Sequence, residues 1–336
     1  MKQFDFRIFA AVIVGLLTLL VLLQGPTTSD PFMPENTQLR AQLDTLPIED
    51  LAAYKHAHAR SNKVFDLGLF GNSRSVMISH DDLGLAADSF FNFSLPGGSM
   101  RQSIALLEEL VRDGKAPRHA VISLDHLELQ YYAPPDYPAP FRRWALAAND
   151  VESAWSGSGS PIVSAKVFVD RFLLEWGRFK SLFNISRLRN RMAARYPDIF
   201  RASTTDRTTR PDGSRSAPFE AVGGDFRLAP QVMAVGVPQM IAQDFERLDA
   251  LTRQGVAITI YESPLAPGAL DGRPPAADAL ALRRQVSAAC DRFALTCHLA
   301  PPELGDTAQG WPDCCHAPAP VLANYLKSFL MLPAKD

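Results

Sequence analysis

The stretch VFDLGLFGNSR, Val64 to Arg74, decides the fold. Apart from Asp66, Val64–Phe70 is apolar or glycine, and it runs straight into the turn Gly71-Asn72-Ser73-Arg74. A short apolar run closed by turn residues is the pattern of a strand buried on both faces, and a helix is expected to follow it. The same grammar recurs along the chain, with further strands expected at Ser89–Ser94, His119–Leu124, Val256–Tyr261 and Leu295–Leu299. Helical periodicity fills the gaps. Met100, Ile104, Leu107 and Val111 lie on one face of a segment that stops at Gly114, a C-cap glycine. Ile241, Phe245, Leu248 and Leu251 do the same for Pro238–Gln254, and helices are also expected at Ile48–Arg60, Ala276–Phe293 and Ala319–Leu330. Strands alternating with helices imply an α/β fold, a parallel sheet covered by helices. Sites in such sheets form outside the carboxyl ends of the strands.

Residues 131–237 break this rhythm. A Tyr/Pro-rich loop, Tyr131 to Pro140, leads into expected helices between about Pro161 and Tyr196, then a polar stretch, Ala202 to Ala217, expected to be mobile. The block is an insertion, mostly helical, packed near the site. Towards the N-terminus, residues 25–62 are mixed polar and proline-containing and are expected to form a stalk or linker. Before them, Ile8–Leu23 is an unbroken apolar run preceded by Lys2 and Arg7. At about 1.5 Å per residue it approaches the thickness of a bilayer core, so residues 1–24 are expected to be a transmembrane anchor. The positive flank puts the N-terminus in the cytoplasm and the rest outside. A cleaved signal peptide fits less well, because Leu22–Thr27 has no small-x-small site.

The 336 residues are 47% hydrophobic, enough for a substantial core and incompatible with a wholly disordered chain. Lys+Arg at 34 against Asp+Glu at 36 leaves a net charge of -2 and no global case for nucleic acid. The four cysteines, Cys290, Cys297, Cys314 and Cys315, suit an oxidising compartment and permit two disulfides. Adjacent Cys314 and Cys315 would close a strained ring, so one or both are expected to reach back to Cys290 and Cys297. His298 and His316 stand beside two of the cysteines, but the spacing matches no usual zinc motif, and no metal is expected.

Three polar pieces fall where strands are expected to end. Ser73 occupies a strand-to-turn position that can expose its hydroxyl and offer its own N–H to an oxyanion. Asn92 stands near the end of the second strand, and the pair Gly97-Gly98 follows it. Asp313 precedes His316 by three residues, a spacing that lets the carboxylate fix the imidazole tautomer while the other ring nitrogen faces a serine. The candidate catalytic residues are therefore Ser73, Asp313 and His316, with Ser73, Gly97 and Gly98 as oxyanion donors. Asn72, Asn92 and Asp125 are candidate pocket residues. His80, Asp81 and Asp82 are expected at the surface, and His298 in a structural role.

Gly71-Asn72-Ser73, the Gly97-Gly98 loop and Asp313-x-x-His316 together resemble the blocks of the SGNH (GDSL-type) hydrolase superfamily. The resemblance covers about residues 63–130 and 238–331. Asn72 replaces the family's usual Asp, and the third block, Gly-x-Asn-Asp, is unmatched by Ser123-Leu124-Asp125-His126. It implies a flavodoxin-like parallel sheet in residues 63–336, interrupted at about 131–237. It also implies an acyl-serine esterase or O-acyltransferase that uses no cofactor. With an N-terminal anchor, the chain is most similar to an exported branch that includes alginate O-acetylation factors and the D-alanine-transfer protein of teichoic acid synthesis. The implied substrate is an ester, usually O-acetyl, on an exported polysaccharide or other acylated glycan. The implied partner is a multi-pass membrane acyltransferase, and the implied location is the bacterial inner membrane with the domain on the periplasmic side. A non-catalytic accessory or glycan-binding protein on the same fold is the alternative.

Overall fold

The computed structural model describes residues 30–37, 40, 43, 48–96, 98–124, 132–133, 209–215, 232–233, 237–269, 277–299, 304 and 310–330. Five parallel strands make the central sheet: β1 (Leu67–Phe70), β2 (Phe90–Asn92), β3 (His119–Ser123), β6 (Ala257–Tyr261) and β7 (Thr296–His298). Their order is β2-β1-β3-β6-β7, the 2-1-3-4-5 order of flavodoxin-like sheets. Two short strands, β4 (Tyr132–Ala133) and β5 (Val232–Met233), pair antiparallel near the two ends of the expected insertion and tie them together. The remainder of the insertion, apart from residues 209–215, lies outside the described residues, as does the expected anchor at 1–24. Among the described residues no helix is long and apolar enough to cross a membrane.

Side chains alternate across a strand, so one strand feeds two cores. Phe70, Ala120, Ile122, Ile258 and Ile260 face one side, where they meet α1 (Ile48–Ser61), α3 (Met100–Arg112), α4 (Val237–Arg253) and α5 (Ala277–Arg292). Leu67, Leu69, Val121 and Tyr261 face the other, against α2 (His80–Leu83) and α6 (Ala319–Lys327). Each fully buried Leu, Ile or Phe in these layers contributes roughly 1.5–3 kcal/mol. The hydrophobic pattern of α3 appears as expected, with Met100, Ile104 and Leu107 buried and a Ser99–Gln102 capping box at its start.

Two expectations give way here. The chain after Arg74 does not enter the expected helix directly. It makes turns through Met77 and then only the one-turn α2, opened by a Ser79–Asp82 capping box and stopped at Gly84, whose φ is 73°. In the stretch expected as a stalk, described residues from Asp30 onward pack on the domain. Phe32 (1% exposed), Leu43 and Leu51 lie in the main core, and the Phe32 ring sits edge-on to Phe91 at 5.2 Å.

Candidate active site

Ser73 lies far in sequence from Asp313 and His316, and the three meet at the carboxyl ends of the strands. Ser73 follows β1 in a turn that Asn72 shapes. The Asn72 Oδ1 accepts the Arg74 N–H at 3.0 Å, and its carbonyl accepts the Ser75 and Val76 N–H groups at 3.1 and 3.2 Å. Gly71 is required by crowding, since a Cβ there would stand 2.1 Å from Ser75 Oγ and 2.9 Å from Ser123 Cβ. Asn72 and Ser73 are both partly exposed.

The Ser73 hydroxyl is 2.8 Å from His316 Nε2, and His316 Nδ1 is 2.7 Å from Asp313 Oδ2. With Nδ1 protonated towards the carboxylate, Nε2 is left to accept the serine proton. The other Asp313 oxygen accepts the N–H groups of Cys315 and His316 at 2.7 and 2.8 Å. Burial pushes the Asp313 carboxyl up, but these N–H groups and the His316 ring outweigh it and hold the group below its ordinary value. Burial pulls the His316 imidazole down. Asp313 opposes that pull, the Arg74 and Arg215 charges add to it, and the ring ends below its ordinary value. At neutral pH the pair is carboxylate and neutral imidazole, the state a general base needs. The Arg74 guanidinium, its Nη1 sealed from solvent, is pulled by desolvation down to about 10 against the opposing effects of Asp313 and Tyr261.

The cysteine pairing departs from expectation. Cys290 bonds Cys297, and Cys314 bonds its neighbour Cys315, placing a disulfide between the aspartate and the histidine of the site. Cys315 is buried against Leu265 and Ala269, and the Cys314 carbonyl accepts the Ala266 N–H at 2.9 Å, so the ring is seated on the loop after β6. Asp313, Cys314 and Cys315 are close enough to hold an ion, but both sulfurs are bonded to each other and both carboxylate oxygens are already hydrogen-bonded.

The oxyanion candidates fare differently. The Ser73 N–H makes no hydrogen bond among the described residues. The Gly98 N–H donates to the Leu95 carbonyl at 2.7 Å, closing a turn, so it is not a free donor as expected. Gly97 and Asp125 lie outside the described residues. Asn92, expected at a pocket, lies in the interior. It is fully buried, and its Nδ2 donates to the carbonyls of Ser75, Val76 and Ile78 at 2.9, 3.3 and 2.8 Å while Oδ1 accepts the Ser94 N–H at 2.9 Å. It braces the loop that carries Ser73. His298 stacks on Phe329 with ring centroids 4.0 Å apart, a packing role as expected.

Sequence reasoning missed Lys55, Asp212 and Arg215. Lys55, on α1, is 1% exposed and its Nζ donates to the carbonyls of Asn92, Ser94 and Gly213 at 2.6, 2.8 and 3.1 Å. His80, expected at the surface, is half-buried against Asp212, with Nδ1 2.7 Å from its carboxylate. The polar stretch holding Asp212 is not a loose segment at Thr209–Arg215, where Asp212, Ser214 and Arg215 are all buried. Its signal was Pro211-Asp212-Gly213, a turn motif that outranks the polar composition around it. Comparison with family models, with curated proteins and with solved structures finds no match to this chain.

Proposed function

We propose that this chain is an acyl-serine enzyme of SGNH type, an esterase or O-acyltransferase. One observation carries the reading: the unbroken chain Ser73 Oγ–His316 Nε2 at 2.8 Å and His316 Nδ1–Asp313 Oδ2 at 2.7 Å. Ser73 Oγ attacks an ester carbonyl carbon and its proton passes to His316 Nε2. The Ser73 N–H donates to the developing oxyanion, a contact worth about 3 kcal/mol in such sites. Collapse breaks the bond to the leaving alkoxide, which takes the proton from Nε2 and leaves an acyl-serine. A sugar hydroxyl or water, deprotonated by the same nitrogen, then attacks the acyl carbon, the bond to Ser73 breaks, and Oγ takes the proton back from Nε2. The chemistry calls for no metal or organic cofactor.

The favoured acyl group is O-acetyl on an exported polysaccharide or another acylated glycan. The favoured setting is the periplasmic side of a bacterial inner membrane, anchored through residues 1–24 beside a multi-pass acyltransferase. The apolar run Ile8–Leu23 behind Lys2 and Arg7, and two disulfides, support that setting.

Treatment of the full-length protein with a fluorophosphonate, followed by peptide mapping, tests the reading. An adduct on Ser73 that is absent from Ser73→Ala is expected. The alternative, a non-catalytic accessory or glycan-binding protein, is favoured by the Gly98 N–H being taken by Leu95. A folded wild-type protein that stays unlabelled would select it.

A further inference from the structure

The turns from Gly71 to Ser79 belong to no strand or long helix, and something must hold them still for Ser73 to keep its place beside His316. Asn92 supplies one grip. The others come from residues 209–215. There Pro211 and Asp212 form the centre of a tight turn, with the Gly213 N–H donating to the Arg210 carbonyl at 3.0 Å and the Arg210 N–H to the Ser214 carbonyl at 2.6 Å. Thr209 and Arg215 pair beyond it.

This hairpin lies across the end of β2 and the loop of the nucleophile. The Arg215 N–H donates to the Val76 carbonyl at 2.8 Å, and the Asn92 N–H donates to the Asp212 carbonyl at 2.7 Å. The Asp212 Oδ2 takes the His80 N–H at 2.9 Å and faces its ring Nδ1 at 2.7 Å, while Oδ1 takes the Ser214 N–H and hydroxyl at 3.1 and 2.7 Å. Lys55 closes the assembly by donating to the Gly213 carbonyl as well as to Asn92 and Ser94. The loop is thus held at Val76 and at His80 by one hairpin, with Asn92 gripping Ser75, Val76 and Ile78 between. Gly213 has no substitute at the contact. Its φ is +79°, and a Cβ would stand 2.4 Å from the Asn92 carbonyl oxygen and 2.9 Å from the Phe91 ring.

We propose that Thr209–Arg215 is a positioning strap for Ser73, with Asp212 and Gly213 as its positioning residues, so that the insertion sets the reactivity of the nucleophile without touching the reacting atoms. The proposal rests on the acyl-serine reading for its effect on reactivity, and on the hydrogen bonds alone for the strap itself.

Two measurements on full-length wild type, Gly213→Ala and Asp212→Asn keep these separable. The first is the rate of fluorophosphonate labelling against probe concentration. Gly213→Ala should lower the maximal rate about 100-fold, the scale of a misplacement near 1 Å, with the half-saturating probe concentration unchanged. Asp212→Asn keeps the side chain's shape, tests the strap independently should Gly213→Ala fail to fold, and should lower the rate about ten-fold, in keeping with the loss of charge-assisted hydrogen bonds. The second is hydrogen exchange. Amides in residues 71–83 should exchange at least roughly ten-fold faster in both variants while α4 keeps its protection. Unchanged exchange at 71–83 overturns the strap, and faster exchange with wild-type labelling overturns its effect on Ser73. If wild type itself does not label, the acyl-serine reading fails and the exchange result alone decides the strap.

Discussion

The two halves of the site are held in opposite ways. The Asp313–His316 loop is largely self-supporting. The aspartate receives two N–H groups and the ring of its own four-residue segment, a disulfide joins the residues between, and the Ala266 N–H anchors the Cys314 carbonyl from outside. The Gly71–Ser79 loop depends on distant chain, on Asn92 from β2 and on a hairpin from the insertion. The acid–base half is therefore expected to respond to local changes, and the nucleophile half to remote ones.

The largest expected effect tests whether the halves act as one. Ser73→Ala and His316→Ala should each lower acyl transfer on the order of 10⁵-fold, and the double variant should be no worse than either, as for groups that work as a unit. Steady-state rates with 4-nitrophenyl acetate measure this, and multiplicative losses would break the triad apart. Next is Asn92→Ala, which takes the Asn92 amide from the Ser75 and Ile78 carbonyls and leaves Val76 only the Arg215 N–H. It should cost about 3 kcal/mol in urea unfolding and slow the labelling of Ser73. A neutral result would remove the remote brace from the account.

How much of this could be read beforehand follows the same division. The Asp313-x-x-His316 pair was legible because its geometry is local: three residues of separation nearly determine who meets whom. The strands and α3 were legible because burial imposes a period. The braces were not. Asn92 looks like a pocket residue until the carbonyls of Ser75, Val76 and Ile78 are seen to consume its amide. Lys55 sits in a segment that looks like a stalk, and no pattern announces a buried cation among carbonyls. Ring strain alone speaks against a Cys314–Cys315 bond, and the seat it finds on the loop after β6 is a tertiary contact.

Smaller effects sharpen the contrast. Replacing Cys314 and Cys315 together by alanine should lower turnover about ten-fold by loosening the Asp313–His316 alignment. The melting temperature should barely move, since closing so short a loop restricts the unfolded chain little. Replacing Cys290 and Cys297 by serine should leave turnover intact, and a matching loss of turnover there would undo the local assignment. Smallest is the pH dependence. His316 must be neutral to accept the Ser73 proton and sits below its ordinary value, so activity should persist into mildly acidic solution and fall as pH drops through that lowered value. Arg215→Gln removes one of the charges holding it there, so the acid limb of the profile should move to higher pH.

The most direct test of the central claim is to trap the intermediate. Full-length protein mixed with 4-nitrophenyl acetate and quenched in acid should yield one acetyl group on the peptide carrying Ser73, absent from Ser73→Ala. A folded protein that releases acetate with no acetyl on Ser73, or carries it elsewhere, would contradict the account.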